Sequence, residues 1–179
     1  MLHEHLDFDA FISSTLVVEV QKQKPGYNIL RRRIAILLGK WISIKISEQS
    51  KPLVYEIFRH LLDNSDLLND QVVRVTAGRQ FKNIADEWEF KVVTFKPFAP
   101  DILTRLMALI GEVELPETKM ALLSTISSLV ERLEHNVRIL ASCDIYGELK
   151  LTTRRSLLTP TASSPYYHPY GSNLARNTS

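Results

Sequence analysis

The sequence predicts an all-α fold built from about three antiparallel helical hairpins that stack side by side. The first observation is the stretch from Pro52 to Ile84, where apolar residues recur every three or four positions on both sides of a short polar turn. This spacing places one apolar stripe along each of two helices. One such hairpin cannot bury both stripes alone, so it needs similar hairpins on either side.

The second observation is a repeat in the second helix of each predicted hairpin. A basic residue followed by an apolar and small-residue run occurs at Arg33, Arg74 and Lys119, which are 41 and 45 residues apart. A period of roughly forty residues made of paired helices is typical of HEAT-repeat α-solenoids. A closed helical bundle is the alternative, but bundles seldom show one pattern three times at this spacing.

Hairpin one is predicted at about residues 7 to 46. Asp7 is a candidate N-cap of its first helix, and the pair Pro25 and Gly26 separates the two helices because both residues oppose helix continuation. The second helix is apolar nearly all round from Ile34 to Ile46. This pattern predicts contacts on more than one side, as expected of an inner helix in a stack.

Hairpins two and three are predicted at about residues 52 to 85 and 95 to 134. Pro52 and Pro116 lie where the first turn of a helix tolerates proline. The first helix of hairpin three is expected to become regular near Pro100, after an irregular lead-in. An acidic and aromatic connector joins hairpins two and three.

The composition changes after Tyr146. Residues 1 to 146 contain 18 Lys and Arg against 19 Asp and Glu, whereas residues 147 to 179 contain four against one. The second part is rich in Ser, Thr, Pro and Tyr and lacks sustained periodicity, which predicts a disordered tail after a HEAT-repeat segment. Because the positive charge lies in the tail, it does not indicate a nucleic-acid groove in the helical part, and no direct nucleic-acid binding is expected.

The sequence also predicts a soluble intracellular monomer. The single cysteine, Cys143, excludes an internal disulfide and fits a reducing compartment. No apolar run approaches the roughly 20 residues that span a bilayer, so membrane insertion is not expected. The N-terminus lacks the positive and hydrophobic regions of a secretory signal.

No residue pattern points to catalysis, a cofactor or a metal. His3 and His5 are close in sequence but have no third ligand nearby. The sequence contains no Gly-rich phosphate loop, Gly-x-Ser-x-Gly turn or zinc spacing. A small helical enzyme that uses Asp86, Glu87 or Glu89 is the alternative, and it requires these acids to line an enclosed pocket. We expect a protein that is not an enzyme.

The run of Arg31, Arg32 and Arg33 at a helix start is the strongest charge cluster. Positive charge is unfavourable at a helix N-terminus, so a compensating acid is expected nearby. Two interpretations stay open. Either Arg31 and Arg32 bind a phosphate or an acidic partner, or the cluster is a solvated helix start in which one arginine is structural. Arg33 is assigned the structural role because it belongs to the repeat.

The connector Asp86-Glu87-Trp88-Glu89 is a second candidate for partner binding. Acids that flank an aromatic residue between two helices are more often a solvated or partner-facing loop than a catalytic pair. We therefore expect all four side chains at the surface.

Asp70 and Arg74 form a candidate structural pair of the repeat. They are four residues apart with the acid first, which is the favourable order on a helix. In stacked hairpins such an arginine commonly reaches a turn acid of its own or the next hairpin, and Asp63 or Asp66 is the predicted acid. Lys119 is assigned the same structural role in hairpin three.

Several short motifs follow one another along the three hairpins. They are Leu30-Arg31-Arg32-Arg33-Ile34, Gly39-Lys40-Trp41-Ile42, Pro52-Leu53-Val54-Tyr55-Glu56, Asp70-Gln71-Val72-Val73-Arg74, Trp88-Glu89-Phe90, Phe95-Lys96-Pro97-Phe98, Thr118-Lys119-Met120 and Val130-Glu131-Arg132. In this order they resemble the middle of importin-beta superfamily nuclear transport receptors, and the importin-eleven-like branch is the most similar. The resemblance covers roughly residues 6 to 140 and depends on order and spacing, because no single motif is diagnostic.

The resemblance implies a HEAT-repeat carrier that imports proteins into the nucleus, binds cargo and nucleoporins, is controlled by the GTPase Ran, and shuttles between nucleus and cytoplasm. Family members are several times longer, and the repeats that chiefly bind the GTPase lie outside this chain. After Arg138 this sequence changes to its tail, which we interpret as a truncated gene model, an unspliced reading or a fragment. A HEAT-repeat scaffold of a phosphatase regulatory or chromosome-organising type is the second hypothesis.

Overall fold

The computed structural model describes residues 7 to 134, which are helices joined by turns, with no strand in this range. The helices are α1 Phe8–Phe11, a π-helical turn Ile12–Leu16, α2 Val17–Gln21, α3 Tyr27–Lys45, α4 Lys51–Leu61, α5 Gln71–Ala85, α6 Val92–Phe95, α7 Ala99–Glu112 and α8 Pro116–Glu134. The lead-in to α7, which was expected to be irregular, therefore contains the short helix α6.

The helices form three hairpins in two layers. In hairpin one the segment from α1 to α2 packs on α3, in hairpin two α4 packs on α5, and in hairpin three α7 packs on α8. Helices α3, α5 and α8 lie side by side in one layer, and α2, α4 and α7 form the other. This arrangement confirms the predicted fold class, an all-α HEAT-repeat solenoid in which each hairpin packs on its neighbours.

Local sequence explains several helix boundaries. Asp7 Oδ1 accepts a hydrogen bond from the Ala10 N–H at 3.0 Å, and Asp70 Oδ1 accepts one from the Val73 N–H at 2.8 Å. Each carboxylate thereby caps the first turn of its helix. Gly26 has a φ of 81°, a left-handed conformation that glycine adopts without steric cost. This residue makes the tight turn between α2 and α3 possible.

An aromatic cluster fills the space between hairpins two and three. The ring of the buried Tyr55 lies 5.4 Å from that of Phe95 and 6.3 Å from that of Phe81. The Phe58 and Phe81 rings are 5.3 Å apart, and the Phe90 and Phe95 rings are 5.4 Å apart. Such aromatic pairs contribute about 0.5–1.5 kcal/mol beyond their burial. The cluster attaches Phe90 of the segment after α5 and Phe95 of α6 to the core.

The buried residues of α3, α5 and α8 show that the predicted repeat was misaligned in α3. The matching buried positions are Ile34, Leu38 and Ile42 in α3, Val73, Ala77 and Phe81 in α5, and Thr118, Leu122 and Ile126 in α8. In this alignment Arg74 and Lys119 are equivalent, but α3 has Ala35 at that position and Arg33 is exposed. The structural role predicted for Arg33 is therefore wrong, because three adjacent arginines give no sign of which one faces inward.

The close approach of α3 and α5 depends on Gly39. A methyl group at this position would lie 2.7 Å from Cβ of Gln80 and 3.2 Å from its main-chain oxygen, whereas nothing lies within 4 Å of a methyl group at Gly111. Gly39→Ala should lower the free energy of unfolding by about 1–3 kcal/mol, because the two helices must separate. Gly111→Ala should raise it by roughly 0.5–1 kcal/mol, because alanine favours the helix. Urea unfolding measures both, and equal changes would contradict the close packing.

Some predictions concern residues that lie outside the described part of the chain. These are the N-terminal histidines His3 and His5, the cysteine Cys143, and the tail from 147 to 179, so the division after Tyr146 stays a prediction. Between residues 7 and 134, no helix combines the length and apolar character that crossing a membrane requires. In the same range, no group of three or more His, Cys, Asp or Glu side chains is arranged to hold a metal ion.

Candidate protein-binding surfaces

The turns within the three hairpins lie along one edge of the stack. We call this surface the turn edge and define it as residues 22 to 26, 62 to 70 and 113 to 115. Gln23 Nε2 donates to Asp66 Oδ2 at 2.7 Å, which joins the first two turns. Gln71 Nε2 donates to the main-chain oxygen of Glu112 at 3.1 Å, which joins hairpin two to the end of α7. The turn edge is therefore a continuous polar seam between hairpins.

Arg31 of α3 makes the central contact beside the turn edge, between hairpins one and two. Its side chain is fully buried, and Nη1 lies 2.8 Å from both Asn69 Oδ1 and Asp66 Oδ2. Its Nη2 donates to the main-chain oxygen of Lys22 at 3.5 Å. A buried guanidinium is tolerated because a carboxylate and hydrogen-bond acceptors surround it. The prediction that Arg31 binds a partner is therefore wrong, since Arg31 is the structural arginine of the cluster.

Arg74 makes the corresponding contact between hairpins two and three. Its Nη1 and Nη2 lie 2.9 Å and 2.7 Å from the two carboxylate oxygens of Glu112, and its Nε donates to the main-chain oxygen of Asn69 at 3.1 Å. The predicted partner was wrong, because Asp63 and Asp66 pair with other arginines. The acid that Arg74 reaches belongs to the next hairpin.

Arg74→Ala should lower the free energy of unfolding by roughly 1–2 kcal/mol, because it removes a partly buried, charge-assisted contact between hairpins. In a double-mutant cycle with Glu112→Ala, the coupling energy should be about 0.5–1.5 kcal/mol. Thermal and urea unfolding of the four proteins measures it. Strictly additive effects, or an unchanged melting temperature of Arg74→Ala, would contradict the contact.

The connector between α5 and α6 is fixed by side-chain contacts of the two residues before Trp88. Glu87 is buried, and its Oε1 accepts a hydrogen bond from Lys51 Nζ at 3.0 Å. Asp86 Oδ2 accepts one from Lys82 Nζ at 2.7 Å. The prediction of a surface role is therefore wrong for Glu87, which holds the connector against the start of α4. Asp86 stays at the surface.

Trp88, Glu89 and Arg32 are exposed, as expected of partner-binding residues. The indole of Trp88 is 94% exposed although its neighbours fix the main chain. Trp and Arg side chains dominate the energetics of protein interfaces, and a fixed main chain loses little entropy on binding. Arg32 of α3 lies near the N-terminal end of α5. The connector follows the C-terminal end of α5, which is about 22 Å away along that helix. The structure therefore does not bring these residues into one site.

The three acids of the connector do not share an environment that suits catalysis. Glu87 is buried with its lysine, whereas Asp86 and Glu89 are exposed. Burial opposes ionisation of Asp86, but the hydrogen bond from Lys82 helps to outweigh it and lowers the pKa of Asp86. A carboxylic acid that protonates a substrate needs a raised pKa. The arrangement therefore argues against the paired-carboxylate hypothesis.

Carboxyl groups near the turn edge, among them Asp66, Asp70 and Glu112, have lowered pKa values. Burial opposes ionisation of Asp66 and Asp70, but hydrogen bonds from side chains and main-chain N–H groups outweigh it and hold the pKa of each below 3.8. The hydrogen bond from Arg74 lowers the pKa of Glu112 below 4.5, against a smaller effect of burial. The folded chain therefore keeps these groups ionised in mild acid.

Stability should decrease in acid. The same carboxyl groups in the unfolded chain bind protons at ordinary pKa values of about 4, whereas the folded chain resists protonation until lower pH. Their stabilising contribution is fully present above about pH 5 and is lost as the pH falls through 4 towards 2. Urea unfolding at several pH values and constant ionic strength measures this dependence. A free energy of unfolding that stays constant or rises between about pH 5 and pH 3 would contradict it.

Comparisons with known proteins find relatives among nuclear transport receptors. The chain is 33% identical over 142 residues to importin-11 of Mus musculus and to importin-11 of Homo sapiens, which covers 79% of this chain and 14% of each relative. It is 30% identical over 131 residues to the importin beta-like protein KAP120 of Saccharomyces cerevisiae, which covers 71% of this chain and 12% of that protein. No family model matches the chain.

A solved structure shows the same architecture. It is described as Lph2, a novel bidirectional nuclear transport receptor in S. cerevisiae, and it matches with a TM-score of 0.65 and 30% identity over 71% of this chain and 13% of that chain.

The stacked hairpins and their seam of contacts define a segment of a HEAT-repeat α-solenoid that belongs to the class of nuclear transport receptors. The chain belongs to the importin-beta family and to its importin-11-like branch. It spans about 14% of the length of the importin-11 proteins that it matches. The relatives are transport receptors and not enzymes, which agrees with the expectation drawn from the sequence.

Proposed function

We propose that this chain works as part of a nuclear import receptor that carries proteins through the nuclear pore and shuttles between nucleus and cytoplasm. Its partners in this role are protein cargo, nucleoporins and the GTPase Ran, without a cofactor. The observation that supports the proposal best is the match to a nuclear transport receptor in both sequence and fold over 71% of the chain. Because the chain spans a small share of the length of its relatives, the activity of the whole receptor is likewise something that we propose.

The arrangement of the hairpins suits a protein-binding role. Hydrogen bonds and ion pairs join each hairpin to the next one, so the segment can extend a superhelix whose surface grows with every repeat. Arg32, Trp88 and Glu89 are exposed and are the residues that we propose for contacts with partners. Interfaces centred on such Trp and Arg anchors gain most of their binding energy from a few residues.

The test is a pull-down with immobilised Ran locked in its GTP form, with Ran bound to GDP, and with nucleoporin repeats. Both this chain and a version extended through its genomic locus are assayed. We expect the extended version to bind nucleoporin repeats and to prefer the GTP form of Ran. If the extended version binds neither Ran nor nucleoporins, the transport proposal is wrong.

A matched pair of variants tests the surface assignment in the same assay. Trp88→Ala should weaken the binding of at least one partner by about tenfold, as expected for a hot-spot residue. Leu67→Ala removes an equally exposed apolar side chain, 94% exposed, from the turn edge. It should leave binding unchanged, and equal losses from both variants would contradict the assignment of Trp88.

A further inference from the structure

A groove of about 560 Å³ crosses the surface where the three hairpins meet. Arg32 of α3 lies on one side, Val72, Val75 and Arg79 of α5 form the middle, and Leu115 and other residues of the α7–α8 turn close the far side. The volume is within the range of pockets that hold ligands or short peptide segments. Because each hairpin supplies part of the lining, the groove exists only in the stacked arrangement.

The groove offers apolar surface in its middle. Val72 is 54% exposed and Leu115 is 65% exposed, although both are aliphatic residues that are usually buried. Val75, which lies one helical turn beyond Val72 on α5, is half-buried. An aliphatic side chain of a partner would cover these three residues and remove their exposed area from water.

The lining of the groove carries two guanidinium groups, those of Arg32 and Arg79, and two carboxylates, those of Glu112 and Glu114. Glu112 Oε2 lies 2.7 Å from Nη2 of Arg74 and is paired with it. The other acid of the lining, Glu114, has no such pair among the described residues. Arg32 forms no ion pair with any other residue of the described part. Arg79 Nη2 donates to Thr118 Oγ1 at 3.0 Å, which fixes the guanidinium beside the groove and leaves its other donors available.

We propose that this groove binds an extended peptide segment of a partner protein that presents a Glu or Asp next to an aliphatic residue. Carboxylates of the segment pair with the guanidinium groups of Arg32 and of Arg79, and the aliphatic side chain contacts Val72, Val75 and Leu115. Arginine is suited to this role because its planar donors bind both oxygens of a carboxylate. The inference rests on the proposed function, since it names the chemistry of a segment that such a receptor recognises.

The chain provides a matched control for the charge of the groove. Arg33 is exposed on the same helix as Arg32 but does not line the groove. Arg32→Glu and Arg33→Glu therefore make the same change in net charge at adjacent positions. A difference between them reports contact with the bound segment and not the long-range attraction between a basic surface and an acidic peptide.

The experiment is a fluorescence anisotropy titration of the full chain with a labelled peptide of about six residues, roughly 20 Å when extended, in which leucine and glutamate alternate. We expect Arg32→Glu and Arg79→Glu each to weaken binding by about tenfold or more, and Arg33→Glu by less than about twofold. A peptide with glutamine in place of glutamate should also bind about tenfold more weakly to the unmodified chain. In spectra of arginine-labelled chain, the Nε–H signals of Arg32 and Arg79 should shift on addition of the glutamate peptide.

The outcomes separate this inference from the proposed function, because the titration does not use Ran or nucleoporins. If the peptide does not bind, if glutamine and glutamate peptides bind equally, or if Arg33→Glu weakens binding as much as Arg32→Glu, the groove assignment is wrong even where Ran is bound. The NMR shifts are measured on the unmodified chain, so they test the assignment if a variant does not fold. Selective peptide binding by this chain, when the extended version binds neither Ran nor nucleoporins, supports the groove and contradicts the transport role alone.

Discussion

Replacing Arg31 with alanine should lower the free energy of unfolding by about 3–5 kcal/mol, the largest effect that we expect from one substitution in hairpin one. The guanidinium is fully buried and lies 2.8 Å from Asp66 Oδ2. Its removal takes the guanidinium away from the largely buried Asp66, which keeps the hydrogen bond from Gln23. It also leaves Oδ1 of the buried Asn69 without the Arg31 donor and opens a cavity. Urea unfolding monitored by circular dichroism measures the loss.

The neighbouring arginine provides the control. Arg33→Ala removes the same side chain from an exposed position, so the free energy of unfolding should change by less than about 0.5 kcal/mol. A double variant with Arg31→Met and Asp66→Leu should recover much of the loss, because it removes both buried charges together. Equal losses from Arg31→Ala and Arg33→Ala would show that burial does not distinguish the two residues.

Replacing Lys51 with methionine should also lower the free energy of unfolding by about 3–5 kcal/mol. Lys51 is 1% exposed and Glu87 is 7% exposed, with Nζ and Oε1 3.0 Å apart. Lys51 also pairs with Glu48. Without the ammonium group, Glu87 must stay charged without its cation, take up a proton or move into water and pull the connector away from α4.

The control for this substitution is the removal of both charges. Lys51→Met combined with Glu87→Leu should be more stable than Lys51→Met alone by about 2 kcal/mol or more, since well-packed apolar side chains can replace a buried ion pair at little cost. Urea unfolding of the single and double variants measures this difference. If the single variant loses no stability, the ion pair does not hold the connector.

The sequence was sufficient to predict the helices and their pairing, because these features follow from local spacing. The apolar stripes of α4 and α5, the N-cap at Asp7 and the proline at the start of α8 each act within a few residues. The importin-beta resemblance, which depends on the order of motifs along the chain, was confirmed as well. The short helix α6 was missed because four residues are too few to show periodicity.

The contacts between hairpins could not be predicted in the same way. Which of three adjacent arginines is buried depends on Asp66 and Asn69, which lie more than thirty residues further along the chain. Glu87 was expected at the surface because three acids in a short connector suggest solvent, and only Lys51 of another helix makes its burial tolerable. Local patterns contain no information about such partners.

The seam along the turn edge also determines how the chain folds. The partners of the contacts between hairpins are 35 to 43 residues apart in sequence, as in Arg31 with Asp66 and Gln23 with Asp66. Closing loops of this length costs little more entropy than closing a single hairpin, so each junction can form soon after its two hairpins meet. Folding can then begin in any hairpin and spread to the next one, and loss of Arg31 should interrupt that spread between hairpins one and two while hairpins two and three still assemble.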